Sequence, residues 1–177
     1  MRTLLLHDSA YDGDVAATLE AAGHEVVRCS PSPTHRFPCV GIDGPCPLDG
    51  TVDVAVVVHG GPAQAFDPGE AGVVCALRDG VPLVVVGSAA RSPFGLLASA
   101  VGVGPADVDA ACHRAVAARD HRLGRLVGGH VQIEGRCVRA TLPVGATPAD
   151  TVRAHRALGD AVPGAQVIDV TVSLGSA

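Results

Sequence analysis

Val52-Asp53-Val54-Ala55-Val56-Val57-Val58, running into His59-Gly60-Gly61-Pro62, is the strongest strand signal in the chain and decides its fold class. Apolar residues fill both alternating sets of positions, so neither face of this strand is made for water. A strand of that kind belongs in the middle of a parallel sheet covered by helices. The flanks agree. Upstream, Glu25-Val26-Val27-Arg28-Cys29 predicts a strand, and Val15, Ala16 and Leu19 predict a helix over 13–22 that Gly23 closes as a C′ glycine. Residues 3–7 predict a first strand that stops at Asp8, which completes a β-α-β unit of right-handed crossover.

Downstream, a helix is predicted over 68–79, with Pro68 near its first turn and Gly80 beyond its end, and a fourth strand over Val81–Val86 ending at Gly87-Ser88. Helices are predicted over 93–101 and 105–119, the second carrying Val108, Ala111, Cys112, Ala115 and Val116 on its apolar face. The pattern then changes. Residues 131–142 alternate around Glu134-Gly135 as a hairpin does. Thr147-Pro148-Ala149-Asp150 opens a helix with Thr147 at the N-cap, and Val167–Val172 forms a closing strand. The expectation is an α/β domain over 1–124 and a small ββαβ lobe over 125–177.

Composition narrows the function classes. The chain has 177 residues, 47% hydrophobic and 18% charged, which is enough for a packed core. Aromatic residues make up only 2%, so that core is built from Val, Ala and Leu. Trp, Lys and Asn are absent and all thirteen basic residues are Arg, the mark of a high-GC, bacterial coding bias. A net charge of −5, no basic stripe and so few stacking side chains argue against nucleic-acid binding. No apolar run approaches the ~18 residues of a membrane span. The first residues reach Asp8 too soon for a signal peptide. A cytoplasmic location follows as the expectation, and with it six cysteines that serve as thiols, metal ligands or redox groups and not as a disulfide framework.

Between Ser30 and Gly50 the periodicity vanishes. This stretch holds Pro31, Pro33, Pro38, Pro45 and Pro47, together with Cys39 and Cys46. Loops of about 20 residues are uncommon within a compact domain and are usually functional or disordered. Cys29 ends the strand from which the loop departs. In a parallel sheet all carboxyl strand ends share one edge, where ligands bind. That edge gathers Cys29, Cys39 and Cys46 as candidate metal ligands, and His7, Asp8, His59 and Ser88 as candidate ligand-binding residues. Thiolate and imidazole suit zinc or an iron–sulfur cluster. The spacings Cys-x9-Cys and Cys-x6-Cys match no standard knuckle, so a redox thiol pair or incidental thiols stay open. His35 is a spare candidate ligand in the same loop, with a solvated loop histidine as the alternative. Cys75, Cys112 and Cys137 read as small buried hydrophobes.

The succession of Leu4–Asp8, a helix, residues 25–29, Val52–Gly60, a helix and residues 81–88 resembles a response-regulator receiver domain of flavodoxin-like fold, over roughly residues 1–100. The resemblance implies a parallel sheet with helices on both faces, Asp8 in an acidic position, Ser88 in the hydroxyl position and His59 where the phosphoacceptor falls. Histidine forms no acyl phosphate and the receiver lysine is missing, so the resemblance implies a signalling protein that aspartyl phosphorylation does not switch. A second resemblance competes. His59-Gly60-Gly61-Pro62 with Val85-Val86-Gly87-Ser88-Ala89-Ala90 looks like class I glutamine-amidotransferase and DJ-1-like domains, which implies a hydrolase with Ser88 as nucleophile and His113, His121 and His130 downstream. Ala90 replaces the glycine such an elbow uses. A third expectation is an interaction module whose ββαβ lobe makes a homodimer or takes a protein partner.

Overall fold

A computed structural model of the chain describes residues 1–6, 12–29, 39–59, 71–87, 92–162 and 164–174. The elements in chain order are β1 Arg2–Leu6, α1 Asp12–Ala21, β2 Glu25–Arg28, α2 Val40–Asp43, β3 Val54–His59, α3 Ala71–Arg78, β4 Leu83–Gly87, β5 Ala100–Gly102, α4 Val108–Val127, β6 His130–Glu134, β7 Cys137–Leu142, α5 Pro148–Ala161 and β8 Val167–Val172. They fall into two compact units, Met1–Val116 and Ala117–Ala177.

In the first unit, five strands pair in parallel in the order β2-β1-β3-β4-β5. The apolar runs of the sequence become a sheet buried on both faces. Leu5, Val54, Val56, Val58, Val84 and Val86 point to one side and pack on Val15 and Leu19 of α1 and Val108, Ala111, Cys112 and Ala115 of α4. Leu4, Leu6, Ala55, Val57, Leu83 and Val85 point to the other and pack on Val73 and Ala76 of α3, Leu48 and Phe94. This strict alternation is the period of two that a pleated strand imposes. Each fully buried Val or Leu contributes about 1.5–3 kcal/mol relative to exposure, which is how a core with almost no aromatic residues holds.

Gly23 and Gly80 close α1 and α3 in the left-handed region, at φ 85° and 73°, as their positions predict. Gly87 has a stricter task. It ends β4 at φ 99°, and a Cβ there would lie 2.3 Å from the carbonyl oxygen of His59 on the neighbouring strand. Gly87→Ala is therefore expected to cost at least about 2 kcal/mol, read as a lower denaturant midpoint at unchanged slope.

The segment predicted as a helix over 93–101 is a correction. It holds only a short 3₁₀ turn, Gly95–Leu97, followed by β5. The Ser92 hydroxyl accepts from the Phe94 amide at 3.2 Å, and the Ser99 amide donates to the Leu83 carbonyl at 2.7 Å, which draws the chain onto the free edge of β4. A three-residue strand ending in glycine carries too little periodicity to be read. The helix predicted over 105–119 begins instead at Val108, after a 3₁₀ turn, and continues to Val127. No helix among the described residues is long and apolar enough to cross a membrane.

In the second unit β6 and β7 form an antiparallel hairpin and β8 adds in parallel to β7. Its core is small: Leu123, Val131, Val138, Ala140 and Leu158. Thr147 caps α5 as predicted. Its hydroxyl oxygen accepts from the Asp150 amide at 3.3 Å, and its own amide donates to Asp150 Oδ2 at 2.8 Å. The Thr147 side chain and backbone, with Arg153 beside them, hold the Asp150 carboxyl below its ordinary range. A carboxylate so depressed adds its cap contribution above the unfolded-chain pKa and loses it as pH falls through the lower folded value. Amide exchange at Thr147 is thus expected to accelerate only in acid below the usual carboxylate range, and Asp150→Asn to remove that pH dependence.

Candidate metal centre

Cys29 lies immediately beyond the carboxyl end of β2. The amide of Val40 donates to the Cys29 carbonyl at 2.9 Å, so the chain returns to the strand end it left and sets Cys39 beside Cys29. Cys39 is the N-cap of α2, its Sγ accepting from the Gly41 amide at 3.4 Å. Cys46 follows at the start of the next 3₁₀ turn, where its amide donates to Asp49 Oδ2 at 3.1 Å. Gly41 allows the two segments to close. A Cβ on it would stand 3.0 Å from the Cys46 Cβ and 3.5 Å from its sulfur.

The fourth thiol comes from α3. A Cβ on Gly72 would meet the Cys29 sulfur at 3.5 Å, and Cys75 follows three residues later, on the neighbouring position of the same helix face. Cys29, Cys46 and Cys75 all pack, half-buried, against the same side of the sheet. The Cys39 thiol lies close enough to act on that of Cys29. The three predicted ligands are therefore brought together, and Cys75, read from the sequence as core filling, joins them. All are free thiols.

Burial pushes the Cys29 thiol up from 9.0 to about 12, and the neighbouring Cys39, Cys46 and Cys75 push in the same direction. A nucleophilic cysteine sits near cations that depress its pKa, and among the described residues no cation acts on Cys29. The sign for metal-free protein follows. A raised thiol pKa contributes stability below the unfolded value near 9 and loses it as pH climbs toward 12, so the metal-free fold is expected to weaken over that alkaline window, measured by denaturant midpoints. Cys112, pushed to about 12 by burial and then by the Asp109 charge, adds to the same trend.

His59 ends β3 on the same carboxyl edge, two strands from β2, and among the described residues the groups that act on the Cys29 thiol are cysteines. His7, Asp8, His35 and Ser88 lie outside the described residues. Cys137 sits in β7, in the other unit.

A second constellation was not anticipated. His24 immediately precedes β2, so it stands at the opposite end of that strand from Cys29. Its Nδ1 lies 2.7 Å from the Thr3 hydroxyl and its Nε2 lies 2.9 Å from Asp109 Oδ1. His113 Nε2 approaches the same carboxylate oxygen at 3.5 Å. Among the described residues, this is the group of His, Cys, Asp or Glu whose ligand atoms all lie within 4.8 Å of one another, and such a group could hold a metal. The only signal in the sequence was Asp109 and His113 at i and i+4 on one helix face. Thr3-His24-Asp109 has the connectivity of a hydrolase triad, but Thr3 is wholly buried, so its hydroxyl can meet no substrate.

Compared with protein-family models, curated proteins and solved structures, the chain matches none.

Proposed function

We propose that the chain is a receiver-like regulatory or sensory protein, not switched by aspartyl phosphorylation, whose carboxyl sheet edge holds an iron–sulfur centre through Cys29, Cys39, Cys46 and Cys75. The observation that carries this reading is the convergence of four free thiols from three segments at the end of β2. The strand order β2-β1-β3-β4-β5 is the flavodoxin-like one and supports the receiver-like part. His59, an imidazole at the end of β3 where receivers carry their phosphoacceptor, supports a different input.

Thiol spacing favours a cluster over a single zinc ion. Four sulfurs each 2.3 Å from one tetrahedral ion stand about 3.8 Å apart. No three of these thiols fall within 4.8 Å of one another among the described residues. A [4Fe–4S] cluster gives each of the four cysteines its own iron and so accepts a wider frame. Cys29, Cys46 and Cys75, set in an apolar layer with no cation acting on Cys29 among the described residues, make a site where cluster charge and solvent access set the response to a redox signal.

Iron and inorganic sulfide analysis of the anaerobically purified full chain tests the proposal. Both are expected in stoichiometric amounts, and both are expected to fall in Cys39→Ser and Cys46→Ser while Cys137→Ser keeps them. Equal metal content in all four proteins overturns the assignment.

A further inference from the structure

We infer that His24, Asp109 and His113 form a second, independent cation site, for a divalent first-row metal of which zinc is the best fit, at the end of β2 opposite the thiols. Two imidazoles and one carboxylate are a donor set that zinc takes with its fourth position left to water. The geometry is convergent. Both Nε2 atoms address Asp109 Oδ1, at 2.9 and 3.5 Å, and the two rings stand nearly perpendicular at 87° with centroids 6.4 Å apart. A cation placed between them would replace these contacts and find all three ligand atoms already within 4.8 Å of one another. Asp109 and His113 share one face of α4, so the helix fixes two ligands and His24 closes the third corner.

The exposures grade from inside to outside. The side chain of His24 is 2% exposed, that of Asp109 40% and that of His113 67%. A cation would thus be anchored on a buried imidazole and reached by water from the His113 side.

Thr3 supplies the support that a ligating histidine needs. With the proton on Nε2, His24 donates to Asp109 and its Nδ1 accepts from the Thr3 hydroxyl. With a cation on Nε2, the proton moves to Nδ1, which donates to the Thr3 oxygen. A hydroxyl both donates and accepts, so the buried ring keeps its inner partner in either tautomer. The exchange is neutral in protons: one leaves Nε2, one arrives on Nδ1, and Asp109 supplies the negative charge.

Zinc titration of the full chain, followed by the imidazole nitrogen resonances of each histidine, reads this site apart from the thiols. The His24 and His113 Nε2 resonances are expected to shift together on zinc addition, and His24 Nδ1 to become the protonated nitrogen. His113→Ala, at an exposed position that leaves the fold intact, is expected to weaken this response at least about tenfold. Asp109→Asn, which keeps an oxygen for His24 to donate to, is expected to do the same. A His24 ring unmoved at saturating zinc, or a response that survives His113→Ala unchanged, overturns the site. Because the reporter is the His24 ring, either result is independent of whether the thiols hold a cluster.

Discussion

Cys75→Ser is expected to yield a folded protein that has lost its centre. The substitution keeps the size of the side chain and removes the soft ligand. Cys75 is half-buried on α3, so the change in packing alone is small. If Cys75 only fills the layer against the sheet, the variant differs from the parent by about 1 kcal/mol or less and carries the same metal. If it is the fourth ligand, the variant purifies without its absorption. It also loses the stabilisation that binding confers, which is about 4 kcal/mol when the metal is present at a thousandfold above its dissociation constant. The two outcomes separate cleanly in a thermal melt run beside metal analysis. Cys112→Ser provides the contrast, a fully buried thiol in the opposite core layer whose loss is expected to lower stability and leave metal content alone.

Leu158→Ala is expected to unfold the second unit selectively. Leu158 is wholly buried among Leu123, Val131, Val138 and Ala140, and with Leu142 it is one of the two largest fully buried side chains of the second unit. Truncating a buried leucine costs about 2–5 kcal/mol, through lost transfer energy and the cavity left behind. So small a core has little beyond that to give. The first unit draws on two separate layers of buried Val and Leu and does not share the loss. Hydrogen exchange is expected to show β6, β7 and β8 losing protection while β3 and β4 keep theirs. Uniform loss across both sheets would contradict the division into two cores.

The parts of this fold legible in the sequence are those with long, unmixed signals. Val54–Val58 and Leu83–Val86 are apolar on both faces, and only a covered parallel sheet has use for that. Gly23, Gly80 and the Thr147-Pro148-Ala149-Asp150 cap mark helix ends through local chemistry that needs no tertiary context. What escaped was short or set by distant partners. β5 is three residues long and held by the edge of β4. The extension of α4 to Val127 runs through an Arg-rich, polar stretch whose helical period is faint.

The candidate site divides in the same way. Cys29, Cys39 and Cys46 stood out because a Pro-rich loop has little core for a thiol to fill. Cys75 did not, because on an apolar helix face it has the spacing of an ordinary core residue, and only the folding of α3 against the end of β2 gives it another meaning. His24 carries no local signal at all. Its role depends on Thr3 and Asp109, which lie 21 and 85 residues away in sequence.

The most direct measurement is the visible absorption spectrum of the full chain purified without oxygen. Four cysteines holding an iron–sulfur cluster predict a brown protein with a broad band near about 400 nm that bleaches on reduction and is absent from Cys75→Ser. A colourless protein, free of iron and indistinguishable from its Cys75→Ser variant, would contradict the account.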